Sequence, residues 1–520
     1  MNVQPDPALF DADEFVARQE RKSLLRFIVC GSVDHGKSTL IGRLLYEAGL
    51  VFADQLEALD HDSRRYGTQD GERDFALLLD GLAAEREQKI TIDVAYRFFA
   101  TARRRFIVAD APGHEQYTRN MATGASTADL ALLLVSAADG LTRQTWRHAR
   151  IVSMLGVRHF VVAINKMDTV AWSEGRFAAI TAEFHTFAQD LGVDDIAFIP
   201  LAARDGDNIA FRSLRIRWYQ GPCLLEYLDN VEIAPRPQSP AFRMPVQWVN
   251  RPDSRFRGYC GLIASGELFP GMPVRVLPSG QRAHIARIVT QDGDLAHAVA
   301  GQAATVTLSD EIDVSRGDLL VSADAPPAVT DRLGVRLLAI GAEKLVPGRP
   351  YLLKLATATV KAQIEPGLQV TDLETNRYRA AEHLAENDIG VATVTLDRPL
   401  AADRYADCRE TGSFILIDPE SCDTVGMGIV ETIQPIEVRG SARVQSKLPN
   451  LIRATETHAR SIAKAISWRA TGSFDTFVIA AVITGNSTLA GGVALAEILT
   501  KTALYYVHER VWALIPWGRR

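Results

Sequence analysis

Gly31-Ser32-Val33-Asp34-His35-Gly36-Lys37-Ser38 is the stretch that decides how this chain folds. The apolar run Leu24-Leu25-Arg26-Phe27-Ile28-Val29-Cys30 precedes it, and Thr39-Leu40-Ile41-Gly42-Arg43-Leu44-Leu45 follows. Strand, glycine-punctuated loop and helix, with the spacing G-x-x-x-x-G-K-S, make a phosphate-binding loop. The glycines let successive N–H groups turn toward phosphate oxygens, and the helix N-terminus adds partial positive charge. Lys37 is the mobile charge for the β- and γ-phosphates, and Ser38 offers its hydroxyl to Mg²⁺. Gly31, Ser32, Asp34, His35, Gly36, Lys37, Ser38 and Thr39 are therefore the expected nucleotide contacts of the loop. A plain Gly/Ser turn before a helix is the competing reading, and the flanking strand and helix weigh against it.

Three stretches downstream give the loop its chemistry. Asp110-Ala111-Pro112-Gly113-His114 follows the apolar run 106–109. An Asp at a strand end can hold Mg²⁺ through water, Gly113 leaves its N–H for a γ-phosphate, and His114 stands where it can orient an attacking water. Asn165-Lys166-Met167-Asp168 follows the run 160–164. The Asp168 carboxylate can accept from both N1–H and the exocyclic amine of guanine, a pattern that adenine lacks, while Asn165 and Lys166 brace the base and the loop; the choice is GTP over ATP. Between them, Glu87-Gln88-Lys89-Ile90-Thr91-Ile92-Asp93 offers Thr91, whose hydroxyl would join Mg²⁺ only while the γ-phosphate is present. Otherwise Thr91 is a β-branched strand residue between isoleucines. The expected metal set is Ser38, Thr91 and Asp110, with Lys37 and His114 as the catalytic pair.

The 520 residues predict three or four domains, and 47% hydrophobic with 23% charged residues is ordinary for a soluble globular protein. A net charge of -6 carries no nucleic-acid signature. Cys30, Cys223, Cys260, Cys408 and Cys422 form no C-x-x-C pair, which argues against a zinc site or a disulfide framework and suits a reducing compartment. Residues 1–21 are polar and do not read as a signal peptide, so a cytoplasmic location is expected.

From residue 24 to about 230, strand-like runs at 25–30, 106–109, 130–136, 160–164 and 197–201 alternate with helix-length stretches, the pattern of a parallel α/β sheet. A charged, largely helical insertion occupies 47–87. After the linker Ala234-Pro235-Arg236-Pro237-Gln238-Ser239-Pro240 the texture becomes short strands with Gly/Pro/Asp turns to about residue 438, which reads as two consecutive β-barrels or, alternatively, one β-sandwich. The predicted architecture is multidomain: an α/β P-loop GTPase domain at 22–232, β-barrels at 241–328 and 329–440, and a C-terminal α-helical hairpin at 461–520.

The tail differs in kind. Residues 441–520 carry ten Lys/Arg and four Asp/Glu, a net +6, leaving -12 on the first 440. Two apolar stretches, 474–484 and 489–507, are joined by Gly485-Asn486-Ser487, and the second is near the ~20 residues that span a bilayer. Basic residues flank the pair, with only Lys501 between, and Trp468, Trp512 and Trp517 sit at the ends, the positive-inside arrangement for a hairpin with both termini cytoplasmic. A soluble helical hairpin docked on a barrel is the alternative. The segment 501–512 resembles a small family of bacterial membrane domains, and the expectation is attachment to the inner face of the membrane.

Taken together, the motifs resemble the translation-factor class of GTPases, such as elongation factor Tu. Within that class the chain is similar to the large, GTP-hydrolysing subunits of bacterial sulfate adenylyltransferase. The sharper likeness lies in Gly31-Ser32-Val33-Asp34, Ala84-Glu85-Arg86-Glu87-Gln88, Thr91-Ile92-Asp93-Val94-Ala95-Tyr96, Gln247-Trp248-Val249-Asn250-Arg251-Pro252, Phe256-Arg257-Gly258-Tyr259 and Asp310-Glu311-Ile312-Asp313. The resemblance implies that GTP hydrolysis drives the uphill joining of ATP and sulfate into adenosine 5′-phosphosulfate and pyrophosphate. It also implies a smaller partner subunit, in a hetero-oligomer, that carries the adenylyl-transfer site where ATP and sulfate act.

Three residues depart from the family pattern: His35 where Asp is frequent, Lys89 where Gly is usual, and Leu201 in place of Ser, so that any base contact at Ala202 would come from backbone. Lys89 should stiffen the approach to Thr91. The alternatives are a translational GTPase of the elongation-factor type and a membrane-tethered regulatory GTPase. The acidic first 440 residues and barrels without a basic, aromatic surface speak against RNA, and no nucleic-acid partner is expected.

Overall fold

The structure is a computed structural model that describes residues 22–435, apart from 67–72, 80–90, 194, 234–238 and 254–255. The predicted hairpin at 461–520, Lys89, most of the proline-rich linker and the segment 84–88 lie outside the described residues.

The N-terminal sheet contains β1 (Ser23–Gly31), β2 (Ala95–Ala100), β3 (Arg104–Asp110), β4 (Leu130–Ser136), β5 (His159–Asn165) and β6 (Asp195–Pro200), in the order β2-β3-β1-β4-β5-β6. Every residue of β4 is buried, as a strand covered on both faces requires. β1 feeds two layers by alternation. Leu25, Phe27 and Val29 pack with Leu40, Ile41 and Leu44 of α1 (Lys37–Glu47), while Ile28 and Cys30 face the opposite side. There they meet the layer built by α3 (Thr118–Thr127), α4 (Arg143–Met154) and α5 (Glu174–Ala188). The insertion supplies α2 (Ala53–Tyr66) and a 3₁₀ turn, Phe75–Leu78. A short α6 (Leu224–Asn230) returns to the α1 face.

Two differences from the sequence reading concern the sheet. β2 was not foreseen, and it runs antiparallel to β3, so the sheet is parallel except at that edge. Its Tyr96 and Phe98 are exposed, and a half-solvated edge strand lacks the continuous apolar run that marked the others. Thr91 lies in irregular backbone before β2, so its bland reading as a strand residue does not hold.

β1 sits between β3 on one side and β4 on the other, parallel to both, so the order in which strands are added reverses there. Open α/β sheets bind ligands at the carboxyl ends of strands at such a switch point. The register aligns Val29 with Asp110, Gly31 with Leu134 and Ser136 with Asn165, which brings the loops after β1, β3 and β5 to one edge.

The β-rich part forms two eight-stranded sheets, each around an apolar core of its own, which excludes the single sandwich. The first contains β7 (Arg243–Pro245), β8 (Trp248–Asn250), β9 (Gly258–Leu262), β11 (Pro273–Leu277), β12 (Gln281–Thr290), β13 (Gly293–Leu295), β15 (Ala303–Leu308) and β16 (Leu319–Ser322), with β10 (Glu267–Leu268) and β14 (Ala298–Val299) paired beside it. Its ends approach through Ala264 N–H to Arg243 O at 2.8 Å and Gln247 N–H to Cys260 O at 2.8 Å. The second contains β17 (Ala328–Ala339), β18 (Pro350–Leu355), β19 (Ala358–Ile364), β20 (Gln369–Thr371), β21 (Tyr378–Ala380), β22 (Ile389–Ala402), β23 (Ser413–Ile417) and β24 (Thr424–Ile433), with a one-turn α7 (Arg409–Gly412) before β23. Because β17 pairs with both β22 and β24, six of these strands close into a barrel. Closure leaves β20 and β21 as a hairpin on β22.

The second barrel packs directly on the helices behind the nucleotide edge. Leu338, Ile389, Tyr405 and Ile429 share one apolar core with α3 and α4. Tyr405 donates its hydroxyl to Leu155 O at 2.9 Å, Arg409 reaches Gly156 O at 2.6 Å, and Arg150 donates to Leu373 O and to Asn376 Oδ1 at 2.7 Å.

Candidate nucleotide site

The loop after β1 is wound by two residues in the left-handed region, Asp34 at φ 62° and Gly36 at φ 87°. Gly36 caps α1, and a Cβ there would stand 2.6 Å from Asn165 Nδ2, so glycine serves both the turn and the close approach. That Asn165 amide donates to His35 O at 2.8 Å, while its Oδ1 accepts from Ala203 N at 2.9 Å. One side chain thereby ties the phosphate loop, the N-K-x-D segment and the loop after β6.

Lys37 is 7% exposed and donates to Gly31 O at 3.1 Å and Ser32 O at 2.9 Å. Burial pushes its ammonium pKa down, and the Asp110 carboxylate opposes the shift. Asp110 ends β3 and is itself 2% exposed. A Cβ on Gly113 would fall 2.3 Å from Lys37 Nζ and 3.0 Å from Val33 N. Gly113 thus lies flat against the loop. Ser38 Oγ stands 3.4 Å from Thr91 Oγ1. Two hydroxyls and the buried Asp110 carboxylate are hard oxygen donors, the set that suits Mg²⁺.

His114 is half-buried and caps the 3₁₀ turn Glu115–Tyr117, its Nδ1 accepting from Gln116 N at 3.4 Å. Lys166 adopts φ 59°, which carries the chain into a turn that leaves Asp168 exposed.

Two of the predicted contacts also have structural partners in the fold. The His35 ring is 3% exposed, and its Nδ1 lies 3.0 Å from Leu134 O, so that nitrogen donates and the ring braces the loop on β4. Burial is the main cause pushing the imidazole pKa down, which keeps the ring neutral at pH 7. Ala202 has both backbone groups engaged: its N–H donates to Asp207 O at 3.2 Å and its C=O accepts from Gly206 N at 3.0 Å. The adjacent Ala203 N–H does the bracing through Asn165.

Comparison with known proteins follows the same division. Residues 22–234 match the elongation factor Tu GTP binding domain family, residues 333–431 the GTP-eEF1A C-terminal domain-like family, and residues 462–513 a family described as a predicted membrane protein. Sulfate adenylyltransferase subunit 1 of Methylorubrum extorquens is 54% identical over 433 residues, covering 83% of this chain and 92% of that protein. The chain belongs to the sulfate adenylyltransferase subunit 1 family. The Chromobacterium violaceum subunit 1 is 50% identical over 458 residues, covering 87% of this chain and 96% of that protein. The bifunctional enzyme CysN/CysC of Xylella fastidiosa is 50% identical over 442 residues, covering 83% of this chain and 71% of that protein.

Around this subunit 1 site, sequence reasoning missed a buried polar group on α4. Gln144, Arg147 and His148 are each buried, and they link Gln144 Nε2 with His148 Nε2 at 2.8 Å and Arg147 Nη1 with Gln144 Oε1 at 2.9 Å. Arg147 also pairs with Glu115 at 2.6 Å, next to His114. The i, i+3, i+4 spacing of the three was visible in sequence as a helix face, but polar faces ordinarily point to water. Asn387, which touches the same turn from the second barrel, carried no sequence signal.

Proposed function

We propose that this chain is the GTP-hydrolysing subunit of a sulfate adenylyltransferase, coupling GTP hydrolysis to formation of adenosine 5′-phosphosulfate and pyrophosphate by a smaller partner subunit. The 54% identity to a subunit 1 across 92% of its length carries this reading. The site supports it, because it assembles the groups that hydrolysis of a guanine nucleotide requires.

In this reading the backbone N–H groups of the loop and the Lys37 ammonium hold the β- and γ-phosphates. Asp168 accepts from the guanine edge, and Asn165 keeps its loop in register with the phosphate loop. Ser38, Thr91 and Asp110 would hold Mg²⁺, which when bound neutralises charge on the β- and γ-oxygens. The Gly113 N–H faces the γ-phosphate. His114 orients a water whose oxygen bonds to the γ-phosphorus as the bond to the β-phosphate oxygen breaks, giving GDP and phosphate, with the proton passing to phosphate. Thr91 and Gly113 sense the γ-phosphate, so its loss changes the segments that hold them.

The test is GTP turnover by the full chain purified with the small subunit, with ATP and sulfate present and pyrophosphate release followed in parallel. The reading requires pyrophosphate formation that rises with GTP. GTP turnover stimulated by ribosomes and indifferent to ATP, sulfate and the small subunit would overturn it.

The match of residues 462–513 to a membrane-protein family supports a second element: a cytoplasmic enzyme held to the inner face of the membrane by its tail. Flotation with anionic vesicles should carry the full chain and not a version ending at residue 445. Equal recovery of both in the soluble fraction would remove the tether.

A further inference from the structure

We infer that Glu115 is a two-sided clamp that fixes His114, making Arg147 of α4 and Asn387 of the second barrel positioning residues for GTP hydrolysis. The inference rests on the reading of His114 as the water-orienting group. It concerns how that group is held.

The two sides of the clamp grip different atoms. The Glu115 carboxylate is held by Arg147 at 2.6 Å, and the Arg147 side chain is 7% exposed while that of Glu115 is 57% exposed. Arg147 is in turn held by Gln144, and Gln144 by the fully buried His148, so the guanidinium cannot swing away. The Glu115 backbone carbonyl accepts from Thr118 Oγ1 at 2.7 Å and from Asn387 Nδ2 at 3.0 Å. Asn387 is itself fixed. It is 7% exposed, sits at φ 68° and donates its N–H to Ala339 O at 2.8 Å. Ala385 N–H closes the same turn on Asp388 Oδ2 at 2.9 Å.

His114 caps the turn that Glu115 begins, so whatever fixes Glu115 fixes the imidazole. The pairing also has an electrostatic purpose. An unneutralised carboxylate next to a triphosphate would repel it, and Arg147 cancels that charge. Because one grip comes from α4 and the other from a barrel loop 272 residues away, His114 takes its position only while the second barrel is docked. Hydrolysis is thereby made to depend on barrel placement.

The experiment is single-turnover hydrolysis of radiolabelled GTP by an excess of the full chain, with GTP and GDP affinities from fluorescent analogues. Asn387→Ala and Glu115→Gln should each slow hydrolysis about tenfold, less than the roughly 100-fold that outright misplacement of a catalytic group costs because one grip remains, with both affinities within about twofold of wild type. In a His114→Ala background neither change should slow hydrolysis further, because both act through that ring. Arg147→Lys, which keeps the charge, should retain more activity than Arg147→Met. Wild-type rates in Asn387→Ala and Glu115→Gln, or full additivity with His114→Ala, would overturn the clamp while leaving the reading of His114 intact. A silent His114→Ala would overturn both.

Discussion

Ser38 Oγ and Thr91 Oγ1 lie 3.4 Å apart although 53 positions separate them in the chain. One hydroxyl opens α1 behind the fixed phosphate loop; the other sits on irregular backbone just before the edge strand β2. A cation held by both would join the phosphate loop to the segment before β2. Thr91→Ala should therefore spare GDP affinity, lower the GTP hydrolysis rate on the order of 10–100-fold, and weaken the dependence of GTP affinity on Mg²⁺. Stopped-flow binding at several Mg²⁺ concentrations with single-turnover hydrolysis reads all three. An equal fall in GDP affinity would recast Thr91 as a packing residue.

Gly36→Ala should act on both nucleotides alike. The new Cβ would sit 2.6 Å from Asn165 Nδ2, and alanine would have to adopt φ 87°. Left-handed strain of about 1–2 kcal/mol adds to the loss of a hydrogen bond of about 1 kcal/mol. Affinities for GTP and GDP should fall together by on the order of tenfold or more in equilibrium titration. A fall confined to GTP would mean that the loop tolerates the methyl group and transmits strain to Gly113 instead.

Asp168→Asn should exchange guanine for xanthine. In the proposed reading the exposed carboxylate would accept from two guanine N–H groups, whereas an amide presents one donor and one acceptor, matching a base whose exocyclic amine is replaced by oxygen. Two charge-assisted hydrogen bonds are at stake, so GTP affinity should drop on the order of 100-fold while xanthosine triphosphate gains. Competition binding decides it.

The motifs that spell the site were legible because each combines a residue type with a fixed offset and a strand before it. Lys37, Asp110, Gly113 and Asn165 fall where those offsets place them, at the carboxyl edge of the sheet. The two-barrel texture was legible from short alternating strands. β2 was not, because an edge strand with exposed Tyr96 and Phe98 lacks the apolar run that marks a covered strand. That the His35 ring braces the loop was not legible, because its partner is the Leu134 backbone carbonyl on another strand. Asn387 is the extreme case. Its partner is a backbone carbonyl, which leaves no trace in side-chain chemistry.

The two barrels meet at a buried ion pair whose worth is conditional. Arg243 on β7 reaches both oxygens of Asp403, just past β22, at 3.0 and 3.2 Å, and Thr411 Oγ1 donates to the same carboxylate at 2.7 Å. The side chains are 4% and 10% exposed. Asp403→Ala would strand the guanidinium and should cost about 3–5 kcal/mol, whereas replacing the pair with Met and Leu should be close to neutral. Urea unfolding of the three proteins checks this. Similar losses for the single and the double replacement would show that the pair contributes net stability beyond its own burial.

The last prediction concerns acid. His148 is fully buried on α4, and its pKa is pushed down to about 3, first by burial and then by the charges of Lys37 and Arg147 and by His35. Its ordinary value is 6.5. Above that value neither the folded nor the unfolded chain holds the proton, and the folded state keeps its full stability. Between 6.5 and about 3 only the unfolded chain takes up the proton, so stability is lost progressively as pH falls through that window. The slope reaches about 1.4 kcal/mol per pH unit, and on going to pH ~5 this one side chain should cost the fold about 2 kcal/mol. His148→Gln keeps a polar partner for Gln144 and removes the titration. Whatever its stability at neutral pH, its loss between pH ~7 and ~5 should be smaller than that of the wild type by about that amount. Chemical denaturation at a series of pH values measures the two slopes, and parallel slopes would show that His148 finds a proton-accepting environment in the folded chain after all.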